Sequence, residues 1–146
     1  MKTTSLKKAF IVAAMLTGFG HTGLSMAYGI GSAVLDPAGN NASATDLASV
    51  NCPGGTHHFS AAVLDTSPPV AGLLVSVHIY KGAQMTTATS TNGNWSDIVS
   101  VNGGAGTYYL SIRKTNVGAR NFTVGWDCRT SDNISTGIDL KVLQVQ

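Results

Sequence analysis

Apolar and polar residues alternate with a period of two along most of the chain, and no segment keeps a helical period. Between residues 45 and 52, Ala48, Val50 and Cys52 share one side; between 57 and 64, Phe59, Ala61 and Val63 do so. Residues 72–80 set Leu73, Val75, Val77 and Ile79 against Leu74, Ser76, His78 and Tyr80. Residues 84–89 read as a polar, Thr-rich edge strand, and 95–101 as a further strand carrying Trp95, Asp97, Val99 and Val101 on one side. Residues 107–114 oppose Tyr108, Leu110 and Ile112 to Tyr109, Ser111 and Arg113, and 121–128 place Phe122, Val124, Trp126 and Cys128 together. A last alternating run covers 138–145. Between the runs lie turn formers, including Pro53-Gly54-Gly55, Pro68-Pro69, Asn92-Gly93 and Asn102-Gly103-Gly104. Asn92-Gly93 suits a type I′ hairpin turn. The pattern predicts an all-β chain, an antiparallel β-sandwich of about seven to nine strands. Residues 28–43, low in complexity, are expected to be a flexible arm with a short strand at 32–35, and residues 44–146 to be the sandwich.

Ahead of this lies a different kind of segment. Lys2, Lys7 and Lys8 precede an uncharged apolar run from Ala9 to Phe19, and Ser25-Met26-Ala27 supplies small residues at a cleavage position. That order reads as a signal peptide over 1–27, too short in its apolar part for a membrane span. Removing it leaves 119 of the 146 residues, with six basic residues against seven Asp. The formal charge changes from +2 to −1, so the apparent basicity belongs to the export signal. No nucleic-acid or anionic-lipid partner is expected of such a chain, and no membrane span after cleavage. The expected location is periplasmic or extracellular.

In that compartment Cys52 and Cys128 are expected to form a disulfide. Both share a side with apolar neighbours, which places the bridge in or beside the core. Across 76 residues it restricts the unfolded chain by about 4 kcal/mol in the loop-entropy picture.

Catalytic signatures are missing: there is no GxSxG, SxxK or HExxH, and not one Glu in the chain. No enzymatic activity is expected, and no cofactor. His57 and His58 are adjacent, so on one strand they point to opposite faces and cannot share an ion. His78 joining one of them across the sheet, with Met85 as a soft ligand, would make a copper site. Asp127, Asp132, Asn133 and Asp139 offer oxygens for calcium without the EF-hand spacing. Solvated side chains are the plainer reading of both sets, and no metal site is expected. Tyr80, Tyr109 and Arg113 fall on outward faces and are the candidate ligand-binding residues, since exposed Tyr can stack on sugars or anchor a protein. Four Asn-x-Ser/Thr sequons, at Asn41, Asn94, Asn121 and Asn133, are expected to stay unmodified.

The segment Gly106-Thr107-Tyr108-Tyr109-Leu110-Ser111-Ile112, with Gly118 and Phe122-Thr123-Val124, resembles the C-terminal half of bacterial pre-peptidase C-terminal (PPC) domains. Those are small β-sandwiches attached to secreted enzymes, some of which bind calcium or extracellular polymers. Residues 35–48 and 67–76 resemble segments of small exported proteobacterial proteins without an assigned function, implying a single-domain exported protein. Export, small size, one disulfide and Gly/Thr/Asn/Ala-rich strands are also similar to chaperone–usher pilins, although the C-terminus lacks their penultimate Tyr. The expected function is an exported, non-catalytic binding or structural module whose partner is a protein or an extracellular polymer. The alternatives are a fibre or adhesin subunit completed by a strand from residues 28–43 or 138–145, and a small copper- or calcium-binding periplasmic protein.

Overall fold

A computed structural model describes residues 28–146; the expected signal peptide lies outside these residues. The described chain forms nine strands and no helix: β1 (Gly29–Leu35), β2 (Thr45–Cys52), β3 (His58–Asp65), β4 (Val75–Lys81), β5 (Gln84–Thr89), β6 (Val99–Val101), β7 (Gly106–Lys114), β8 (Arg120–Arg129) and β9 (Asp139–Gln144). They build two antiparallel sheets, a four-stranded one in the order β1-β8-β3-β6 and a five-stranded one in the order β5-β4-β7-β2-β9. No helix among the described residues is long and apolar enough to cross a membrane.

The period-two pattern becomes the core directly. Val75, Val77 and Ile79 of β4 and Tyr108, Leu110 and Ile112 of β7 face Phe59, Val63, Phe122 and Val124 of the other sheet. The disulfide Cys52–Cys128 lies in this core, with Cα atoms 5.6 Å apart, and ties β2 to β8 across the two sheets. At the nearby end of the core the Lys81 ammonium caps the carbonyls of Gly103 and Gly104 and sits 4.4 Å from the centre of the Tyr108 ring.

The opposite end is closed by charge. Lys114 continues the inward series of β7 and meets Asp36 at 2.6 Å, both side chains being almost wholly buried. Arg120, at the start of β8, donates from Nε and Nη2 to Oδ2 of Asp65 at the end of β3. Residues 115–119 connect the two basic residues, so both ion pairs lie at the corner where the chain passes between sheets. The Asp36 carboxylate also accepts from the amides of Asn40 and Asn41. These bonds, the Lys114 bond foremost, hold its pKa below the usual value against the opposing effect of burial.

Three stretches depart from the sequence pattern. Residues 28–43 are not a loose arm: Gly29–Leu35 is a full strand, paired with β8 along all seven residues. Its glycines hide the alternation. They are required because Trp126 lies across them: a Cβ at Gly29 would collide with the indole, and one at Gly31 would stand 3.2 Å from it. Residues 95–101 pair continuously only over Val99–Val101, because Ser96 Oγ takes the Val63 amide and interrupts the ladder. Residues 72–74 precede β4 in a tight turn, where Gly72 has φ 75°. The Asn92-Gly93 turn forms as its sequence implies, with φ 53° and 71°.

Two predictions test this frame. Replacing both cysteines with Ser should lower stability by about 4 kcal/mol, measured by denaturant unfolding of oxidised wild type and variant. Arg120→Met should cost about 3–5 kcal/mol, because it leaves the Asp65 carboxylate buried without its partner; Arg120→Met combined with Asp65→Leu should recover most of the loss.

Candidate functional site

The four-stranded sheet turns a concave outer face to solvent. Its cross-strand pairs Ala62–Gly125, Ser60–Asp127 and His58–Arg129 point outward, as do Tyr28, Ile30 and Ser32 on the β1 side. The floor is made of Ala62, Gly125 and Ser60, whose small side chains leave a trough of about 410 Å³. Trp95 and Ile98 rise over it from the segment leading to β6, and Tyr28 lies on the other flank.

Trp95 is placed by its own backbone. An isolated bridge pairs it with Leu64, and the next amide, that of Ser96, donates to the Val63 carbonyl at 2.8 Å. The indole then lies over Gly125, with ring atoms 4.0 Å from where a Cβ there would stand. A Cβ at 125 would just touch the ring, and a side chain extending beyond Cβ would compete with it for the same space. Trp95 remains 46% exposed, Tyr28 59% and Ile98 74%, so the apolar flanks meet water.

One end of the trough is polar. Asp127 is buried and accepts from Arg129 Nε at 2.8 Å and from Ser135 Oγ at 2.7 Å. The rest of the Arg129 guanidinium has no protein acceptor among the described residues. Ser60 and Ser100 share a hydroxyl bond of 2.7 Å on the same face. The trough thus offers flat aromatic surface beside fixed hydrogen-bonding groups. The carboxylate lining it, Asp127, is engaged by Arg129 and Ser135.

The expected ligand-binding residues Tyr80, Tyr109 and Arg113 lie on the outer face of the five-stranded sheet, away from the trough. Tyr80 and Tyr109 are cross-strand neighbours with stacked rings, centroids 5.7 Å apart at 17°. Arg113 is four residues further along β7, about 13 Å away, with Ser111 between. The sheet brings the tyrosines together and leaves Arg113 apart, and none of the three lines the trough. The alternation over 95–101 sets Trp95 on one side with Asp97, Val99 and Val101 and does not mark it as a ligand residue; an isolated bridge to Leu64, outside β6, is what places it over the trough.

The histidines also fall differently from their spacing. His57 precedes β3 and does not follow strand alternation; its amide and carbonyl are held by the Arg129 carbonyl and the Gly104 amide. Its Nδ1 therefore approaches Nδ1 of His58 at 3.3 Å. His78 lies on the other sheet, bonded through Nδ1 to Thr87 Oγ1 at 2.8 Å, and cannot join them. Met85 stands beside Tyr80 at the far sheet edge. Asp132 and Asn133 lie in the turn after β8, and Asp139 begins β9. Among the described residues no group of three or more His, Cys, Asp or Glu is placed to hold a metal ion.

Burial, followed by the charges of His57 and Arg129 and opposed by Asp127, lowers the pKa of His58; burial and then Arg113 lower that of His78. The unfolded chain therefore binds protons at these sites more readily than the fold. Stability should be complete above the ordinary histidine value of 6.5 and fall as pH drops from there through the folded-state values. Thermal melts between pH 8 and pH 5 should show this decline, and His78→Gln should reduce it. No protein-family profile and no curated protein matches this chain.

Proposed function

We propose that the protein is an exported, non-catalytic binding module that takes an extracellular polysaccharide chain in the trough of the four-stranded sheet. The observation that carries this reading is the half-exposed Trp95 ring, whose Cζ3 and Cη2 edge stands over Gly125, with the Asp127–Arg129 pair beyond it. A pyranose ring presents an apolar face of C–H groups that packs on an aromatic plane. Its hydroxyls need donors and acceptors held at fixed positions, which the Ser60–Ser100 pair and Arg129 supply. An open trough suits a chain that enters from either end, whereas a small free ligand is usually enclosed. The disulfide and the expected signal peptide support a site outside the cytoplasm. The resemblance to PPC domains supports the same role, as those sandwiches include binders of extracellular polymers.

Affinity electrophoresis in gels containing neutral and acidic polysaccharides, followed by tryptophan fluorescence titration, tests the proposal. Wild type should be retarded by at least one polymer. Trp95→Ala should weaken binding about thirtyfold, the effect of removing an anchor worth about 2 kcal/mol, while Tyr109→Ala should leave it unchanged. Binding that survives Trp95→Ala and is lost in Tyr109→Ala would move the site to the tyrosine face and overturn this assignment.

A further inference from the structure

The two sheets end unevenly on one side. On the other side β5 and β6 lie against each other and close the sandwich. Here β1 is the last strand of the four-stranded sheet and β9 the last of the five-stranded sheet, so β9 projects one strand beyond its cover. Val142, opposite inward-facing Ala48, is 59% exposed for that reason, and Leu140 is only partly buried. Above it, Gly29 and Gly31 leave the rim of the step low, and Trp126 lies half-buried with its Nε1 lacking a partner among the described residues. The described chain thus has a ledge, β9, and beside it an empty strand position next to β1.

The β1 edge lacks the usual guards against pairing, with no charge and no proline, while β9 carries one Asp, one Lys and a register shift beside Val142. Their directions are also set. β1 runs antiparallel to β8, which reverses β7 through residues 115–119; β9 runs antiparallel to β2, itself antiparallel to β7. β1 and β9 therefore run the same way, and at their ends the Asp36 amide donates to the Gln146 carbonyl at 2.7 Å.

We infer that this stepped edge binds a second copy of the chain, with β9 of each protomer filling the empty position beside β1 of the other. A two-fold axis along the strand direction exchanges the sheets and keeps the direction, so each ledge enters the partner's step. Four strands plus five give two continuous nine-stranded sheets with parallel β1–β9 junctions. The fit is self-complementary: among the described residues, the sheet that is one strand too wide meets the sheet that is one strand too narrow. The competing two-fold, perpendicular to the sheets, joins β9 to β9 and leaves the two β1 edges facing across an empty gap with Val142 uncovered. Two junctions about 20 Å long, in edges about 20–25 Å thick, bury about 1,000–1,200 Å² in total, the lower bound of specific interfaces. Because the contact is isologous it closes at two protomers and does not grow into a fibre.

Light scattering coupled to gel filtration, on protein purified after export, reads the mass directly. The expected mass is twice that of one chain, reverting to one chain on dilution. Val142→Lys puts a charge on the ledge at a position exposed in the single protomer, so it should give a monomer with an unchanged melting profile at low concentration. Met85→Lys, at the opposite edge and 68% exposed, should remain a dimer. A monomer at the highest attainable concentration, a dimer insensitive to Val142→Lys, or open-ended polymers would each overturn the inference.

Discussion

The buried pair between Lys114 and Asp36 is the contact on which the arrangement of the sandwich depends. Burying two charges is costly, and the cost is offset where the geometry is close and further hydrogen bonds hold both groups. Here Asp36 accepts from Lys114 and two backbone amides, and Lys114 donates also to the Asn116 carbonyl. Asp36 directly follows β1, Lys114 ends β7, and the Asp36 amide holds the C-terminal residue. One ion pair thus fixes an edge strand of one sheet, a central strand of the other, and the end of β9. Arg120 and Asp65 repeat the device one strand away, between β8 and β3.

That anchoring gives the outer face its shape. With β1 held at its Asp36 end, its glycines lie against Trp126 and its first residues bring Tyr28 to the flank of the trough. The same sheet places Gly125 and Ala62 side by side, and their small size makes room for Trp95. The trough and the step come from one choice, a four-stranded sheet packed against a five-stranded one. The fourth strand is rich in glycine, and the fifth is left without cover.

Much of this was legible as alternation. The inward sets on β2, β3, β4, β7 and β8 are those that the period-two pattern marks, and the partner of Cys52 follows from an exported chain with two cysteines. Continuing the β7 series Tyr108, Leu110, Ile112 by two residues reaches Lys114, so its burial was written in the pattern. Its partner was not, because Asp36 lies 78 residues away and looks like a turn residue before Pro37. The alternation marks only the second half of β1, residues 32–35, because the glycines at 29 and 31 contribute no side chain to it. Tyr80, Tyr109 and Arg113 alternate outward in the pattern, but an outward position says nothing about whether the surface there is flat or hollow.

What the sequence alone determined is therefore the material of the fold: strands from alternation, turns from Asn, Gly and Pro, and a covalent tie from two cysteines. Each of these depends on residues near one another in the chain or on composition. Tertiary structure decided what depends on distant strands meeting: which strands are neighbours, which charges neutralise each other, where Trp95 comes to rest and which edges stay open. The hollow over Gly125 exists only because β3, β8 and the segment carrying Trp95 come together. No local pattern encodes a juxtaposition of residues 62, 95 and 125, since its physical cause is the packing of surfaces remote in sequence.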